Sequence, residues 1–311
     1  MNAESAVIFA AMAADEARFI NSGNLRLWTE RFGDPADPTV LLVMGTSTPG
    51  PGWPDELVEV LVSGGRQVIR FDHRDTGRSD WVDFSTHPYA LADLAGDALA
   101  VLDAYGIGAA HIAGASLGGA VAQWLGVHRP ERVTALTLVM STPMNVDQGP
   151  IWARALSGQD PDPGTLPPPH PRFLDHLKNA ATTPRTTREE SIAAGVETWR
   201  VLSGDALPFD EEAARRLAEY AHDEAANPAA ATNHDLAGRV LSDDRRAPLA
   251  TITAPTLVVH GTEDPLLPLP HGEALAAAIP GARLEAVEGM GHSLLSEGVP
   301  RRVAELILSN A

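Results

Sequence analysis

The sequence predicts an α/β protein with a mostly parallel sheet, helices on both faces of that sheet, and an inserted helical cap. Three observations support this prediction. Apolar runs of strand length alternate with helix-like segments over most of the chain, as in proteins with parallel sheets. Residues 143–247 interrupt this alternation. The 311 residues are enough to bury about three quarters of the unfolded surface in one large domain.

The first half of the chain predicts a core over residues 22–142, preceded by an N-terminal extension over residues 1–21. In the extension, the amphipathic segment Ser5–Phe19 is expected to be a helix. Core helices are expected at Asp55–Ser63, at Ala90–Tyr105 and from Ser116 to about His128. Strands are expected at Leu25–Trp28, Glu30–Phe32, Thr39–Met44, Gln67–Phe71, His111–Ala115 and Val133–Met140.

The second half predicts a helical cap over residues 143–247 and a return to the core over residues 248–311. Prolines break the regular structure at Pro161–Gly164 and Pro167–Pro171. Cap helices are expected at Glu189–Leu202 and Glu211–Ala221. The strand–helix alternation resumes with strands Thr256–His260 and Arg283–Val287 and with helices Gly272–Ile279 and Pro300–Ser309.

Composition excludes several classes of function. The net charge of −18 disfavours binding to nucleic acid or to an anionic membrane surface. The absence of cysteine excludes disulfides, thiolate catalysis and thiolate metal sites. No apolar run is long enough to span a bilayer, and the N-terminus lacks the basic start of a signal peptide. We therefore expect a cytoplasmic protein, either a monomer or a homodimer.

One segment, Gly114–Gly118, has the pattern Gly-x-Ser-x-Gly between a predicted strand and a predicted helix. Such a segment presents a serine hydroxyl at the tip of a tight strand-to-helix turn. Glycines are expected at both ends because neighbouring segments crowd the turn and would clash with a β-carbon. Ser116 is therefore a candidate nucleophile. A glycine-rich turn that merely ends a buried strand would have the same pattern.

A nucleophilic serine needs a base to take its proton and an acid to orient that base. Asp264 follows the predicted strand Thr256–His260, and His292 lies in the loop after Arg283–Val287. Ligands bind at the carboxyl ends of parallel strands, so these side chains are expected to meet Ser116 at one edge of the sheet. The chain order of nucleophile, acid and base is the one expected for this type of turn.

Other polar residues have competing interpretations. Asp147, just past strand Val133–Met140, is a rival for the orienting acid, and Asp264 could instead cap the turn that follows it. The other ten histidines show no pair with metal-ligand spacing on a clear helix. We therefore expect them to be surface or structural residues and expect no metal site. Asp72 and Arg74 are expected to hold the loop below the active site.

With these motifs in place, the chain resembles the α/β-hydrolase family over nearly all of residues 25–307. The resemblance implies an eight-stranded, mostly parallel sheet and a serine hydrolase that needs no cofactor. Four segments carry the resemblance, one of them similar to the Arg-x-x-Gly-x-Ser loop of the family. They are Gly114–Gly118, Gly261–Pro265, Gly289–His292 and the loop Asp72–Ser79.

The chain is also similar to aclacinomycin methylesterase-like polyketide esterases, in Phe32–Pro38, Leu42–Gly45, Asp72–Ser79 and Pro265–Gly272. That group removes a methyl ester from an aromatic polyketide skeleton, and it has a methionine where this chain has Leu117. The resemblance implies a carboxylesterase that forms an acyl-enzyme on a small-to-medium apolar ester. A methyl ester of a natural product is one candidate substrate.

Attack on an ester creates an oxyanion, which needs two preorganised backbone N–H donors. We expect one donor at Leu117, directly after Ser116 and at the positive end of a helix. We assign the second to Thr46, in the loop after the predicted strand Thr39–Met44. Many family members have His-Gly in this loop, where this chain has Met44-Gly45.

Substrate contacts are expected in the cap, because ligand clefts commonly lie between two such parts of a protein. The candidates are four large aromatic side chains, which could equally form the core of the cap. They are Trp152, Phe173, Trp199 and Phe209.

Ser116, Asp264 and His292 could also serve other reactions. The alternatives are a cofactor-free perhydrolase, a lactonase and a carbon–carbon bond hydrolase. A non-catalytic receptor for a small molecule on the same fold is a further alternative. A haloalkane dehalogenase or an epoxide hydrolase is disfavoured, because both need an aspartate at position 116, where this chain has serine.

Overall fold

The structure is a computed structural model that describes residues 14–310. Eight strands form one sheet in the order β1-β2-β4-β3-β5-β6-β7-β8. β1 pairs antiparallel with β2, β2 pairs antiparallel with β4, and the remaining neighbours are parallel. The strands are β1 (Glu16–Ser22), β2 (Leu25–Phe32), β3 (Thr39–Val43), β4 (Gln67–Phe71), β5 (Ala110–Ala115), β6 (Val133–Val139), β7 (Thr256–Gly261) and β8 (Arg283–Val287).

Helices cover both faces of this sheet. The helices of the core are α1 (Asp55–Ser63), α2 (Leu91–Ala104), α3 (Leu117–His128), α9 (Pro270–Ala278) and α10 (Val299–Ser309). Each begins and ends within two residues of its predicted bounds. Together with the sheet topology, these helices confirm the predicted α/β fold with its mostly parallel, eight-stranded sheet.

The middle strands are buried on both faces, which explains their continuous apolar sequence. Successive side chains of a strand point to opposite faces. Leu41 and Val43 of β3 accordingly belong to one core cluster, which includes residues of α2 and α3. Val40 and Leu42 belong to a second core cluster on the other face, which includes residues of α1 and α10. The two clusters hold the strand ends in fixed positions.

The N-terminal expectation needs a correction. Ser5–Phe19 was predicted to be helical, but residues 16–22 form the edge strand β1, which pairs with β2 along its whole length. Residues 1–13 of the predicted extension lie outside the described residues. Backbone pairing with β2 outweighs the helical periodicity here. Gly23, with φ of +57°, lies in the turn between the two strands and is the sequence signal for this hairpin.

The second strand is also longer than predicted. The two short strands expected on either side of Thr29 are one continuous strand, β2. Thr29 itself is fully buried, and its hydroxyl donates a hydrogen bond to the Arg18 carbonyl oxygen at 2.8 Å. A threonine in this setting continues a strand instead of interrupting it, because its single polar group has a partner within the sheet.

Five helices lie between β6 and β7, where the sequence predicts the cap. They are α4 (Gln148–Leu156), α5 (Pro171–Thr182), α6 (Arg188–Ser203), α7 (Glu211–Asp223) and α8 (Asn233–Arg239). The proline-rich residues 157–170 contain neither a helix nor a strand. These helices contact the loops of the core, for example where the Tyr220 hydroxyl on α7 donates a hydrogen bond to Asp72 after β4.

Candidate active site

Ser116 occupies a strained turn between β5 and α3. Its φ and ψ are 52° and −114°, a conformation that is costly for a residue with a side chain. The turn is tightly packed: a β-carbon on Gly114 would lie 2.1 Å from the Gly118 carbonyl oxygen. The Ser116 N–H donates to the Val139 carbonyl oxygen on β6 at 2.9 Å, and the Ser141 hydroxyl donates to the Ser116 carbonyl oxygen at 2.8 Å. The surroundings therefore hold the serine in this conformation.

His292 lies between Ser116 and Asp264. Its Nε2 atom is 3.1 Å from Oγ of Ser116, and its Nδ1 atom is 2.7 Å from Oδ2 of Asp264. A carboxylate next to Nδ1 favours a proton on Nδ1, which leaves the lone pair of Nε2 facing the serine hydroxyl. The structure thus brings together the three residues that the sequence analysis selected, in the geometry that proton transfer from serine requires.

The loops around these side chains are fixed by backbone contacts. Oδ1 of Asp264 accepts hydrogen bonds from the backbone N–H groups of Leu266 and Leu267, at 2.9 and 2.7 Å. The N–H of His292 donates to the carbonyl oxygen of Leu202, at the end of α6, at 2.7 Å. His292 is only 5% exposed. The cap thus takes part in holding the base.

The rival acid has a different role. Oδ1 of Asp147 accepts a hydrogen bond from the Gly149 N–H at 2.9 Å and caps the N-terminus of α4. This is the usual contact of an aspartate at the start of a helix. In this structure the carboxylate that contacts His292 belongs to Asp264.

The expected oxyanion donors lie close to Ser116. Leu117 is the first residue of α3, so its N–H is among those that have no partner within the helix. Thr46 belongs to the segment Met44–Thr48, called here the oxyanion loop, which directly follows β3. A β-carbon on Gly45 would lie 3.1 Å from Cβ of Ser116, and Thr46 and Ser116 line the same cavity.

Two buried histidines contact this loop, and the sequence analysis did not identify their role. Nε2 of His73 donates to the Met44 carbonyl oxygen at 2.9 Å, and Nδ1 of His234 accepts from the Ser47 N–H at 3.0 Å. Both side chains are fully buried. Burial lowers the pKa of each to about 4, so both are neutral at neutral pH. The two histidines are far apart in sequence, so no local pattern indicates that both contact the oxyanion loop.

The loop Asp72–Ser79 lies beneath the oxyanion loop. Asp72 is buried and accepts hydrogen bonds from the N–H groups of Gly50 and Arg78, at 2.7 and 2.9 Å. The Tyr220 hydroxyl on α7 also donates to it at 2.9 Å. Burial is the largest influence on the Asp72 carboxyl and raises its pKa to about 6. Asp72 therefore connects the loops of the core to the cap.

Arg74 has a separate structural role in the same loop. Its guanidinium forms two hydrogen bonds with the fully buried carboxylate of Asp97 on α2, at 2.6 and 2.8 Å. Such a two-point contact fixes the orientation of the guanidinium plane relative to the carboxylate plane. It also pairs the buried negative charge of Asp97 with a positive charge. The pair anchors the loop to the core helix α2.

A cavity of about 1250 Å³ extends from Ser116 and His292 to the helices of the cap. Trp152, Phe173 and Trp199 are among the residues that line it. Phe209, which the sequence analysis also selected for substrate contact, is not among these residues. Its ring packs against an apolar cluster formed mainly by α6, α7 and Leu295, because the segment Leu207–Asp210 turns toward that cluster.

Within residues 14–310, no helix is long and apolar enough to cross a membrane. In the same part of the chain, no group of three or more histidine, aspartate or glutamate side chains is arranged to hold a metal ion.

Comparison with known proteins identifies a family and similar sequences. The family described as alpha/beta hydrolase fold matches residues 38–299. Rhodomycin D methylesterase DnrP of Streptomyces peucetius is 42% identical over 280 residues, covering 89% of this chain and 92% of that protein. Rhodomycin D methylesterase DauP of Streptomyces sp. strain C5 has the same identity and coverage. These matches also confirm the resemblance to aclacinomycin methylesterase-like esterases.

Solved structures show the same fold. A hydrolase from Pseudomonas aeruginosa PA01 aligns with a TM-score of 0.68 at 28% identity, covering 96% of this chain and all of that one (100%). Esterase RhEst1 from Rhodococcus sp. ECU1013 aligns with a TM-score of 0.72 at 22% identity, over 95% of this chain and 99% of that one. The chain belongs to the alpha/beta hydrolase family and is a carboxylesterase-type hydrolase.

Proposed function

We propose that the chain hydrolyses a carboxylic ester through an acyl-enzyme on Ser116. The observation that carries the proposal is the position of His292, within hydrogen-bond distance of both Oγ of Ser116 and Oδ2 of Asp264. This arrangement provides a nucleophile, a base and a group that stabilises the charged base.

In the first half of the reaction, Oγ of Ser116 attacks the ester carbonyl carbon while its proton passes to Nε2 of His292. The tetrahedral intermediate then collapses, and the carbon–oxygen bond to the alcohol breaks. The alkoxide leaves with the proton from His292, which leaves the acyl group on the serine. Asp264 stabilises the imidazolium that forms between these steps.

In the second half, His292 takes a proton from a water molecule as that water attacks the acyl carbon. The second intermediate collapses, the acid is released, and Ser116 regains its proton from His292. In both halves the oxyanion is expected to accept hydrogen bonds from the N–H groups of Leu117 and Thr46. Loss of one such donor typically costs about 3–4 kcal/mol of transition-state stabilisation.

We further propose that the substrate is a methyl ester on a polycyclic aromatic natural product. The cavity of about 1250 Å³ exceeds the roughly 300–1,000 Å³ typical of small-ligand pockets. Its lining includes the side chains of Trp152 and Trp199, whose rings suit flat aromatic ligands. The relatives DnrP and DauP are named for a methylesterase activity on rhodomycin D.

A panel of esters tests this proposal. The panel contains short p-nitrophenyl esters, a small benzoate methyl ester and a polycyclic aromatic methyl ester, each assayed with the wild type and Ser116→Ala. We expect kcat/KM to be highest for the polycyclic ester and Ser116→Ala to lose turnover of every ester. Preference for the short esters would overturn the substrate assignment. Full turnover by a folded Ser116→Ala variant would overturn the mechanism.

A further inference from the structure

A histidine of the cap contacts the oxyanion loop directly. His234 lies on α8, and its Nδ1 atom accepts a hydrogen bond from the Ser47 N–H at 3.0 Å. The Ser47 hydroxyl donates to the Ala231 carbonyl oxygen, in the turn before α8, at 2.7 Å. The cap thus holds the N–H and the hydroxyl of Ser47, the residue directly after Thr46.

The partners of His234 define its protonation state. A backbone N–H only donates, so Nδ1 must carry a lone pair. On the other side of the ring, Nε2 lies 2.9 Å from the Arg74 carbonyl oxygen, which only accepts, so Nε2 must carry the proton. The neutral imidazole with a proton on Nε2 therefore satisfies both contacts. A second proton would place an N–H on Nδ1, facing the N–H of Ser47.

The groups packed around His234 agree with a neutral ring. The ring of His73 lies 5.6 Å away and that of Tyr89 6.5 Å away. Asp75 accepts hydrogen bonds from the Tyr89 hydroxyl at 2.6 Å and from Asn233 at 3.1 Å. Arg74 is paired with a carboxylate on α2. The charged side chains near His234 thus have other hydrogen-bond partners.

The contacts of Ser47 hold the oxyanion loop in a strained shape. Ser47 has φ of +58°, in the left-handed region that residues other than glycine rarely adopt. The Thr48 hydroxyl donates to the Thr46 carbonyl oxygen at 3.0 Å. The peptide unit between Thr46 and Ser47 is thus held at both ends, by Thr48 at its oxygen and by His234 at its N–H. These contacts fix the peptide unit on the carboxyl side of Thr46 and so restrain the backbone next to the Thr46 N–H.

We propose that His234 is a positioning residue. Through it, the packing of the cap against the core determines the shape of the oxyanion hole. Through Ser47 it holds the loop in the shape that aims the Thr46 N–H at the reacting carbonyl. The inference rests on the proposed function, because it assigns Thr46 as an oxyanion donor. It predicts an effect on the chemical step and little effect on substrate binding.

Two conservative variants separate the two hydrogen bonds of His234. The oxygen of an asparagine side chain falls close to the position of Nδ1, so His234→Asn keeps an acceptor for Ser47. The amide of glutamine reaches the position of Nε2, so His234→Gln keeps the donor to Arg74 and loses the acceptor. We expect His234→Gln to lose kcat by about tenfold or more, less than deletion of an oxyanion donor, with KM within about twofold. We expect His234→Asn to retain most of kcat.

His128→Gln is the matched control. Nε2 of His128, the last residue of α3, donates to the carbonyl oxygen of Asp244, in the segment between α8 and β7, at 3.0 Å. His128 is not among the residues that line the cavity. Its variant should keep both kcat and KM. Urea unfolding of all variants identifies any loss of the folded state.

The outcomes are distinguishable. If folded His234→Gln and His234→Asn have equal kcat, or if His234→Gln matches the wild type, the inference is wrong. Those results leave the proposed function intact as long as Ser116→Ala is inactive. If Ser116→Ala is active, the proposed function fails and the inference fails with it.

Discussion

A β-carbon on Gly118 would lie 2.0 Å from the carbonyl oxygen of Val43, so the first turn of α3 packs directly against the end of β3. The same β-carbon would lie 2.6 Å from the Met44 carbonyl oxygen. The nucleophile turn and the oxyanion loop can therefore approach one another only because position 118 has no side chain. The two expected N–H donors, Leu117 and Thr46, belong to these two neighbouring segments.

The variant Gly118→Ala should lose both stability and activity, because the added methyl group must push the end of β3 away from Ser116. Overpacking of this kind costs about 1–3 kcal/mol of unfolding free energy. Urea unfolding and turnover of a p-nitrophenyl ester measure the two effects. Gly96→Ala is the control, since a β-carbon at Gly96 on α2 has no atom within 4 Å. Equal behaviour of the two variants would contradict the packing argument.

The variant Asp264→Asn should lower kcat by about 10⁴-fold, as expected when an orienting carboxylate is lost and the histidine takes the wrong tautomer. Asp147→Asn should keep kcat, because the Asp147 carboxylate caps α4 and the carboxylate on His292 is that of Asp264. Steady-state kinetics with one ester compare the two. The assignment of the acid is refuted by a large loss in Asp147→Asn with normal turnover in Asp264→Asn.

The aromatic residues of the cap should differ in their effect on substrate binding. Trp152 lines the cavity and packs edge-on to Phe173, with 6.3 Å between ring centroids. Trp152→Ala should raise KM for the polycyclic ester by about tenfold, from the loss of 1–2 kcal/mol of aromatic contact, and leave short esters unaffected. Phe209→Ala should lower stability and leave KM unchanged. If Phe209→Ala raises KM as much as Trp152→Ala does, Phe209 contacts the substrate and the cavity extends to it.

The free energy of unfolding should fall as the pH drops below 6.5, at pH values where most carboxylates are still ionised. Burial lowers the pKa of His73, His111 and His234 from 6.5 to about 4, so below pH 6.5 the unfolded chain binds protons that the folded chain does not. Three other histidines shift in the same direction, namely His176, His260 and His271. Each such proton lowers the free energy of unfolding by up to about 1.4 kcal/mol per pH unit.

Two carboxyls oppose this trend. The pKa of Asp72 is raised from 3.8 to about 6, so the folded chain takes up a proton there that the unfolded chain does not, and this favours folding as the pH falls. Desolvation also raises the pKa of Asp235. The six histidines outnumber these two carboxyls. The urea midpoint should therefore fall steadily from pH 6.5 to pH 4, as followed by circular dichroism. A midpoint that stays constant or rises over this range would contradict the buried, neutral state of the histidines.

The sequence was enough to predict the three central residues because each follows a strand of the parallel sheet. β5, before Ser116, and β7, before Asp264, are buried apolar strands, whereas β8, before His292, is a partly exposed edge strand. Parallel strand ends share one edge, so the three strands already place these residues near one another. Residues 16–19 were wrongly predicted because the window Ser5–Phe19 has helical periodicity, whereas pairing with β2 decides the structure of its end. The local sequence pattern contains no information about the pairing of this segment with β2.

The histidine contacts that support the oxyanion loop could not be predicted from the sequence, for a different reason. His73 and His234 are more than 150 residues apart, and they meet only because α8 folds back onto the loop Asp72–Ser79. His73 lies in the loop Asp72–Ser79, but the pattern of that loop does not indicate a contact with Met44, and His234 belongs to no motif. Phe209 likewise could be assigned to the cavity or to the cap core only after the direction of its segment was known.

The central claim is that the acyl group of the ester is carried by Ser116. The most direct test is mass spectrometry of the intact protein, quenched with acid during turnover of p-nitrophenyl acetate, followed by peptide mapping. We predict one added acetyl group, located on Ser116, in the wild type and none in Ser116→Ala. An acetyl group on another residue, or turnover by a folded Ser116→Ala variant that remains unmodified, would contradict the account.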